Sequence, residues 1–199
     1  MKNVVIYIHG KYGTVEEAEY YKKFFNEADI IGFEYTSEYP WDFQKEFSIF
    51  IDDIYTKYKK ISIIANSIGA YFTMLSLTNK NIEKAFFISP IVDMEKLITD
   101  MMFLENITEK ELYKKKKIKT LFGETLSWDY LTFVRKNPIE WNIPTYILYG
   151  ENDDLTSYET ILNFTNKSKA NLTIMKGGEH WFHTDEQMEF LNNWIKNLT

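Results

Sequence analysis

The string Ala65-Asn66-Ser67-Ile68-Gly69 sets a serine between two small residues, one two positions before it and one two positions after. An apolar run, 61–65, leads into it, and a helix-like segment, 68–77, leaves it almost without a loop. A serine in so abrupt a strand-to-helix turn has its backbone neighbours pressed together, so bulk on either flank would clash. Such a turn holds the hydroxyl out where it can react. The chemistry that fits is nucleophilic attack on an acyl carbon, and a serine hydroxyl manages it only with a base within hydrogen-bond reach. A serine that merely caps a helix would need no such partner.

The chain has three histidines, His9, His180 and His183. His180 comes soon after the glycine pair Gly177-Gly178, which follows the apolar run 171–175, and is the expected base; His183 is the fallback. A base of this kind works with a carboxylate that fixes its tautomer. Asp153 and Asp154 both follow the run 145–149 and Asp93 follows the run 85–88, so three acids are candidates. A tetrahedral intermediate also needs N–H donors for its oxyanion. The amide of Ile68 is one candidate. The other belongs to the loop His9-Gly10-Lys11-Tyr12-Gly13, whose glycines let backbone come close to a ligand. That loop matches neither Gly-x-Gly-x-x-Gly nor the P-loop pattern, which argues against nucleotide binding.

These side chains fall at the ends of short apolar runs that alternate with amphipathic segments. Runs 4–8, 30–35, 61–65, 85–88, 145–149 and 171–175 read as strands. Segments 16–26, 41–58, 68–77, 157–165 and 185–197 read as helices, with Thr14 placed to cap the first. The alternation predicts an α/β fold: a doubly wound, mostly parallel sheet of about six strands with helices on both faces. The first strand is expected between the second and third, with Ser67 near that switch point. Between the fourth and fifth strands, 92–142 spans about fifty residues where one helix would suffice. Its pattern suggests two or three short helices, including 94–104 and 128–135, and it is read as a small helical lid inserted in a single domain, 1–199.

Composition narrows the function. The absence of cysteine excludes disulfides, thiolate metal sites and a cysteine nucleophile, and fits a reducing, cytoplasmic location. A net charge of −6 argues against a general phosphate-binding surface and so against nucleic acid. The one charge run, Lys114 to Lys117 followed by Lys119, is read as a solvated helix face. No stretch approaches the roughly 18 apolar residues of a membrane span, so no stable membrane insertion is expected. The N-terminus reads as a strand rather than a signal peptide. At 17% the aromatic share is high, and surplus rings should line a pocket or a mobile cover.

Taken together, the chain resembles the α/β-hydrolase superfamily along nearly its whole length. The resemblance rests on Ile8-His9-Gly10, on Ala65-x-Ser67-x-Gly69 in place of the commoner Gly-x-Ser-x-Gly, on Gly150-x-x-Asp153 and on Gly178-x-His180, in the order Ser, Asp, His. It implies Ser67 as nucleophile, His180 as base and Asp153 as orienting acid. It also implies the amides of Lys11 and Ile68 as oxyanion donors, a structural role for His9, and no metal or organic cofactor. The first strand would correspond to the third of the larger eight-stranded members, making this an N-terminally trimmed version. The reaction expected is hydrolysis of a carboxylic ester of a small-molecule acyl substrate through an acyl-enzyme. Thioesterase, peptidase or lipid-hydrolase chemistry would use the same residues, and the competing class is a non-catalytic binding protein of this fold. Tyr12, Asn66, Trp181, Phe103 and Trp128 are expected to meet substrate, with Met101, Phe122, Tyr130 and Phe182 among the side chains of an apolar acyl pocket.

Overall fold

Val4, Val5, Ile6, Tyr7 and Ile8 are buried in unbroken succession, and a strand without a polar face must be covered on both sides. That strand is β1 (Lys2–Ile8). It joins β2 (Ala28–Gly32), β3 (Tyr58–Asn66), β4 (Lys84–Ile88), β7 (Thr145–Gly150) and β8 (Asn171–Met175) in a six-stranded sheet of order β2-β1-β3-β4-β7-β8. Every neighbouring pair in it is parallel. The order reverses at β1, which lies between the second and third strands as the sequence predicts. The computed structural model describes residues 1–78, 80–121 and 123–199, so Phe122 lies outside the described residues.

Side chains alternate across the pleat. Val5 and Tyr7 of β1 cluster on one face with Ile64, Phe86 and Leu148, where α1 (Ala18–Tyr21) adds Ala18 and Tyr21 and α8 (Asp185–Lys196) adds Leu191, Trp194 and Ile195. Ile6 and Ile8 point the other way. There α3 (Ile68–Leu77) packs against β1, and it meets α2 (Pro40–Lys57) through the buried rings of Phe43 and Phe72, whose centroids are 4.8 Å apart. Each such fully buried ring contributes about 1.5–3 kcal/mol of hydrophobic stabilisation. Helix α7 (Tyr158–Ser168) packs on β8.

Two expectations shift. The predicted helix 16–26 is a short α-turn between two 3-10 turns, Val15–Glu17 and Lys22–Phe24. The strand expected at 30–35 is β2, ending at Gly32. Phe33 and Tyr35 leave the sheet and bury their rings instead, Phe33 against Phe47 at 4.9 Å and Tyr35 against Phe43 at 4.8 Å.

The chain divides into two compact units, Met1–Val92 with Glu140–Thr199, and Asp93–Ile139. The second unit holds α4 (Met94–Leu104), α5 (Glu109–Lys115), an antiparallel hairpin of β5 (Lys117–Lys119) and β6 (Thr125–Ser127), and α6 (Trp128–Lys136). Its three helices are capped by Asp93, Thr108 and Ser127, whose side chains accept from the backbone N–H of Lys96, Glu111 and Tyr130. Each cap is worth about 1 kcal/mol. The Arg135 guanidinium ties α6 to α4 and α5, with Nε 2.6 Å from Glu95 and Nη2 2.6 Å from Glu109. The hairpin is not foreseen by the sequence pattern. It divides the lysine run, because α5 ends at Lys115, Lys116 takes φ +65°, and Lys117 and Lys119 continue in β5. All five lysines are exposed, but only the first two lie on a helix. No described helix is long and apolar enough to cross a membrane.

Candidate active site

Ser67 stands between β3 and α3 with φ +49° and ψ −120°, a backbone region that costs a side-chain-bearing residue about 1–3 kcal/mol. Its own peptide groups hold it there. The Ser67 N–H donates to Ile88 O at 3.0 Å, and its carbonyl accepts from the N–H of Ala70 and of Ile91, both at 3.1 Å. The turn is possible because α3 leaves directly beneath the end of β1. A Cβ at Gly69 would stand 2.5 Å from the carbonyl oxygen of His9 and 2.9 Å from that of Ile8. Ala65, two positions before the serine, is fully buried in β3, and its methyl is accommodated. Gly69→Ala should therefore destabilise the fold by about 2 kcal/mol or more, because the obstructing atoms are backbone and cannot swing aside. Urea unfolding reads this directly, and a midpoint equal to that of the parent would contradict the close approach.

The hydroxyl meets a base. Ser67 Oγ lies 2.8 Å from His180 Nε2, and His180 Nδ1 lies 2.8 Å from Asp153 Oδ2. The Asp153 side chain is 0% exposed and that of His180 14%. Asp153 Oδ1 accepts from the backbone N–H of Leu155 and of Thr156, each at 2.9 Å. A carboxylate is acceptor-only, so Nδ1 of His180 carries the shared hydrogen and Nε2 is left to accept from Ser67. Beneath this loop the Tyr149 hydroxyl donates to Thr156 O at 2.8 Å. Burial, and then the charge of Asp153, push the Tyr149 phenol up to about 12, so it remains a donor at neutral pH.

The loops that carry Asp153 and His180 cross at contact distance. A Cβ at Gly150 would lie 2.5 Å from the carbonyl oxygens of both Gly178 and Glu179. Asn152 N–H donates to Gly178 O at 2.7 Å and Glu151 N–H to Met175 O at 3.0 Å. Gly177 takes φ +70°, the left-handed turn that returns the chain toward His180.

The remaining candidates separate. Asp154 is exposed, and Ser157, not Asp154, caps α7. Asp93 caps α4. His183 Nδ1 is 2.8 Å from Trp181 O, and its ring stacks on that of Trp181 at 4.4 Å. His9 is 8% exposed, with Nδ1 2.8 Å from Gly10 O and its ring stacked on Tyr35 at 4.2 Å. Gly10 comes so near that a Cβ there would be 3.2 Å from Ser67 Cβ. Lys11 and Tyr12 lie in the tight turn that follows Gly10, closed by Gly13 N–H to Gly10 O at 3.1 Å. Ile68 is the first residue of α3, where amide N–H groups point out of the helix and carry partial positive charge. Tyr12 is 88% exposed and Trp181 72%.

Two expected substrate contacts are placed otherwise. Phe182 is 7% exposed and belongs to the core cluster, because the chain after Trp181 turns its next ring inward. Asn66 Nδ2 donates to the core residue Tyr7 at 2.8 Å and its Oδ1 is buried, so its side chain supports the turn from beneath. In the second unit Phe103 is 81% exposed on α4, and Trp128 opens α6 with its ring 5.2 Å from Tyr113. Sequence reasoning did not find the amides of Leu155 and Thr156, nor Tyr149. The glycines at 150 and 177–178 were the available sign that two backbones meet. Among the described residues, no group of three or more potential ligands is placed to hold a metal ion.

No family model matches the chain, and no curated protein matches it either. Solved structures do. Est1E from Butyrivibrio proteoclasticus superimposes with a TM-score of 0.78 at 18% identity, over 99% of this chain and 86% of that one. A second structure of Est1E, with ferulic acid bound, gives 0.75 at 16%, over 98% and 87%. The mouse alpha/beta hydrolase domain-containing protein 10 gives 0.76 at 15%, over 98% and 90%. With its parallel order, its strand-to-helix turn at Ser67 and these superpositions over nearly the full length, the chain has the α/β-hydrolase fold.

Proposed function

We propose that the protein is a serine hydrolase that cleaves carboxylic esters through an acyl-enzyme. The observation that carries this reading is the continuous line Ser67 Oγ, His180 and Asp153, with two contacts of 2.8 Å ending on a fully buried carboxylate. A structural serine has no need of a strained backbone, a base and an acid at once.

In the proposed reaction Ser67 Oγ attacks the ester carbonyl carbon as its proton passes to His180 Nε2. The oxyanion is received by the amides of Lys11 and Ile68. Collapse expels the alcohol, which takes the proton from His180, and leaves the acyl group on Ser67. A water then attacks the acyl carbon, giving its proton to His180. The second collapse returns that proton to Ser67 and releases the acid. Asp153 holds the imidazole in the tautomer that can accept and stabilises the imidazolium that forms. Tyr12 and Trp181, exposed beside the oxyanion turn and the base, are the proposed contacts for an apolar or planar acyl group. The connection 92–142 is proposed as a lid on its length.

The test is hydrolysis of p-nitrophenyl acyl esters of increasing chain length, with a feruloyl ester as the aromatic arm, alongside labelling by a fluorophosphonate. Ser67-dependent label and turnover above background on one arm are expected. Folded protein that takes no label at Ser67 would establish the binding-protein alternative.

A further inference from the structure

Beneath the proposed oxyanion turn lies a chain of polar groups that the reaction itself does not use. Glu17 is an exposed residue of the 3-10 turn after β1, yet its carboxylate reaches inward. Oε2 accepts a hydrogen bond from the hydroxyl of Tyr7, a 0% exposed ring in the middle of the core. Oε1 accepts from the backbone N–H of Thr14 at 3.4 Å. The same two oxygens press on the oxyanion turn, since a Cβ at Gly13 would lie 3.1 and 3.2 Å from them. From the other side, Asn66 Nδ2 donates to the Tyr7 hydroxyl at 2.8 Å, and Asn66 is the residue immediately before Ser67.

The donor and acceptor roles in this chain are forced. Burial above all, with Tyr21 and Glu17 nearby, pushes the Tyr7 phenol far above its ordinary value, so it keeps its proton. A carboxylate can only accept, so that proton goes to Glu17, and the Tyr7 oxygen is left to accept from Asn66. Asn66 must therefore present its NH2 group, which leaves its Oδ1 buried without a partner. A buried acceptor left unmatched is normally selected against. Here it follows directly from a chain whose two ends are the turn carrying Lys11 and the turn carrying Ser67.

We propose that Glu17 is a positioning residue: through Tyr7 and Asn66 it fixes the oxyanion turn in register with the nucleophile. The proposal rests on the serine-hydrolase reading. It places the effect on the transition state, because the distance between the Lys11 amide and the Ser67 acyl centre matters most when the oxyanion forms.

The experiment compares wild type, Glu17→Ala, Glu17→Gln and Tyr7→Phe in ester hydrolysis, in the rate of Ser67 phosphonylation, and in thermal unfolding. Glu17→Ala should lower kcat and the phosphonylation rate together by about tenfold or more, with KM within about twofold, and the loss should persist at temperatures where the variant is fully folded, although its melting temperature falls because the buried Tyr7 hydroxyl loses its acceptor. Glu17→Gln keeps one acceptor oxygen and should regain part of the loss. Tyr7→Phe should reproduce the kcat defect of Glu17→Ala. A Glu17→Ala enzyme with the parent kcat overturns the proposal, and so does a loss that appears in KM or vanishes at temperatures where the variant is fully folded. Wild-type protein that takes no fluorophosphonate at Ser67 overturns the hydrolase reading and this proposal with it, an outcome distinct from a labelled but Glu17-indifferent enzyme.

Discussion

Ser67→Ala is expected to lower kcat for ester hydrolysis by about 10⁵- to 10⁶-fold while leaving KM nearly unchanged. The residue makes one side-chain contact of consequence, 2.8 Å to His180 Nε2, and without Oγ the imidazole has no nucleophile to deprotonate. Oxyanion donors and binding contacts would survive, leaving a residual rate some 10³- to 10⁴-fold above water. The fold should not suffer. The backbone at φ +49° is held by three peptide hydrogen bonds, to Ile88 O and from Ala70 and Ile91 N–H, none of which involves the side chain. Stability within about 1 kcal/mol of the parent is expected, and removal of a strained functional group is as apt to raise it as to lower it. Steady-state kinetics and a denaturant melt on the same preparation decide the matter. More than about one per cent of parent activity in Ser67→Ala would assign the chemistry to another group.

Asp153→Asn is expected to cost about 10⁴-fold in kcat with the geometry intact. The size of the effect follows from the two amides above the carboxylate. Leu155 and Thr156 both donate to Oδ1, so an asparagine here must keep its oxygen toward them. Its NH2 group then faces His180 Nδ1. The imidazole responds by placing its hydrogen on Nε2, where it can no longer accept from Ser67. Asp154→Asn is the control, because Asp154 is exposed beside the same loop, and its kcat should stay within about twofold of the parent. Equal losses from the two substitutions would mean that the loop, not the carboxylate, is being read.

The parts of this molecule that were legible in the sequence are those where one local pattern determines the structure. Asn171–Met175, Ile68–Leu77 and Met94–Leu104 are read to the residue, because each is an apolar run or helical stripe bounded by turn chemistry. Residues 30–35 misled because burial and sheet pairing separate there. Phe33 and Tyr35 are buried much as strand residues are, but their rings pack on α2. The segment 16–26 misled because the spacing of three in Ala18, Tyr21 and Phe24 suits a 3-10 turn as well as an α-helix. Strands of three residues such as β5 and β6 are too short to show any period. In the candidate site, Ser67, Asp153 and His180 were legible because each follows a strand at the same edge of one sheet. Tyr7 and Glu17 were not, and Asn66 was read as a substrate contact rather than as a partner of Tyr7. Tyr7 looks like one more apolar strand residue, and only the pleat reveals that its hydroxyl meets a side chain 59 positions away.

The crossing of Gly150 with Gly178 has a consequence for anyone who would rebuild this chemistry. With carbonyl oxygens 2.5 Å from where a Cβ at Gly150 would stand, neither loop can be lengthened, shortened or reshaped without dislodging the other. The loops that carry Asp153 and His180 therefore form a single cassette, joined through α7 and β8, whereas Ser67 arrives on a separate piece of backbone. A graft onto a foreign scaffold must carry both loops as one insert, and a mutagenesis library that varies them independently will consist mostly of broken cassettes.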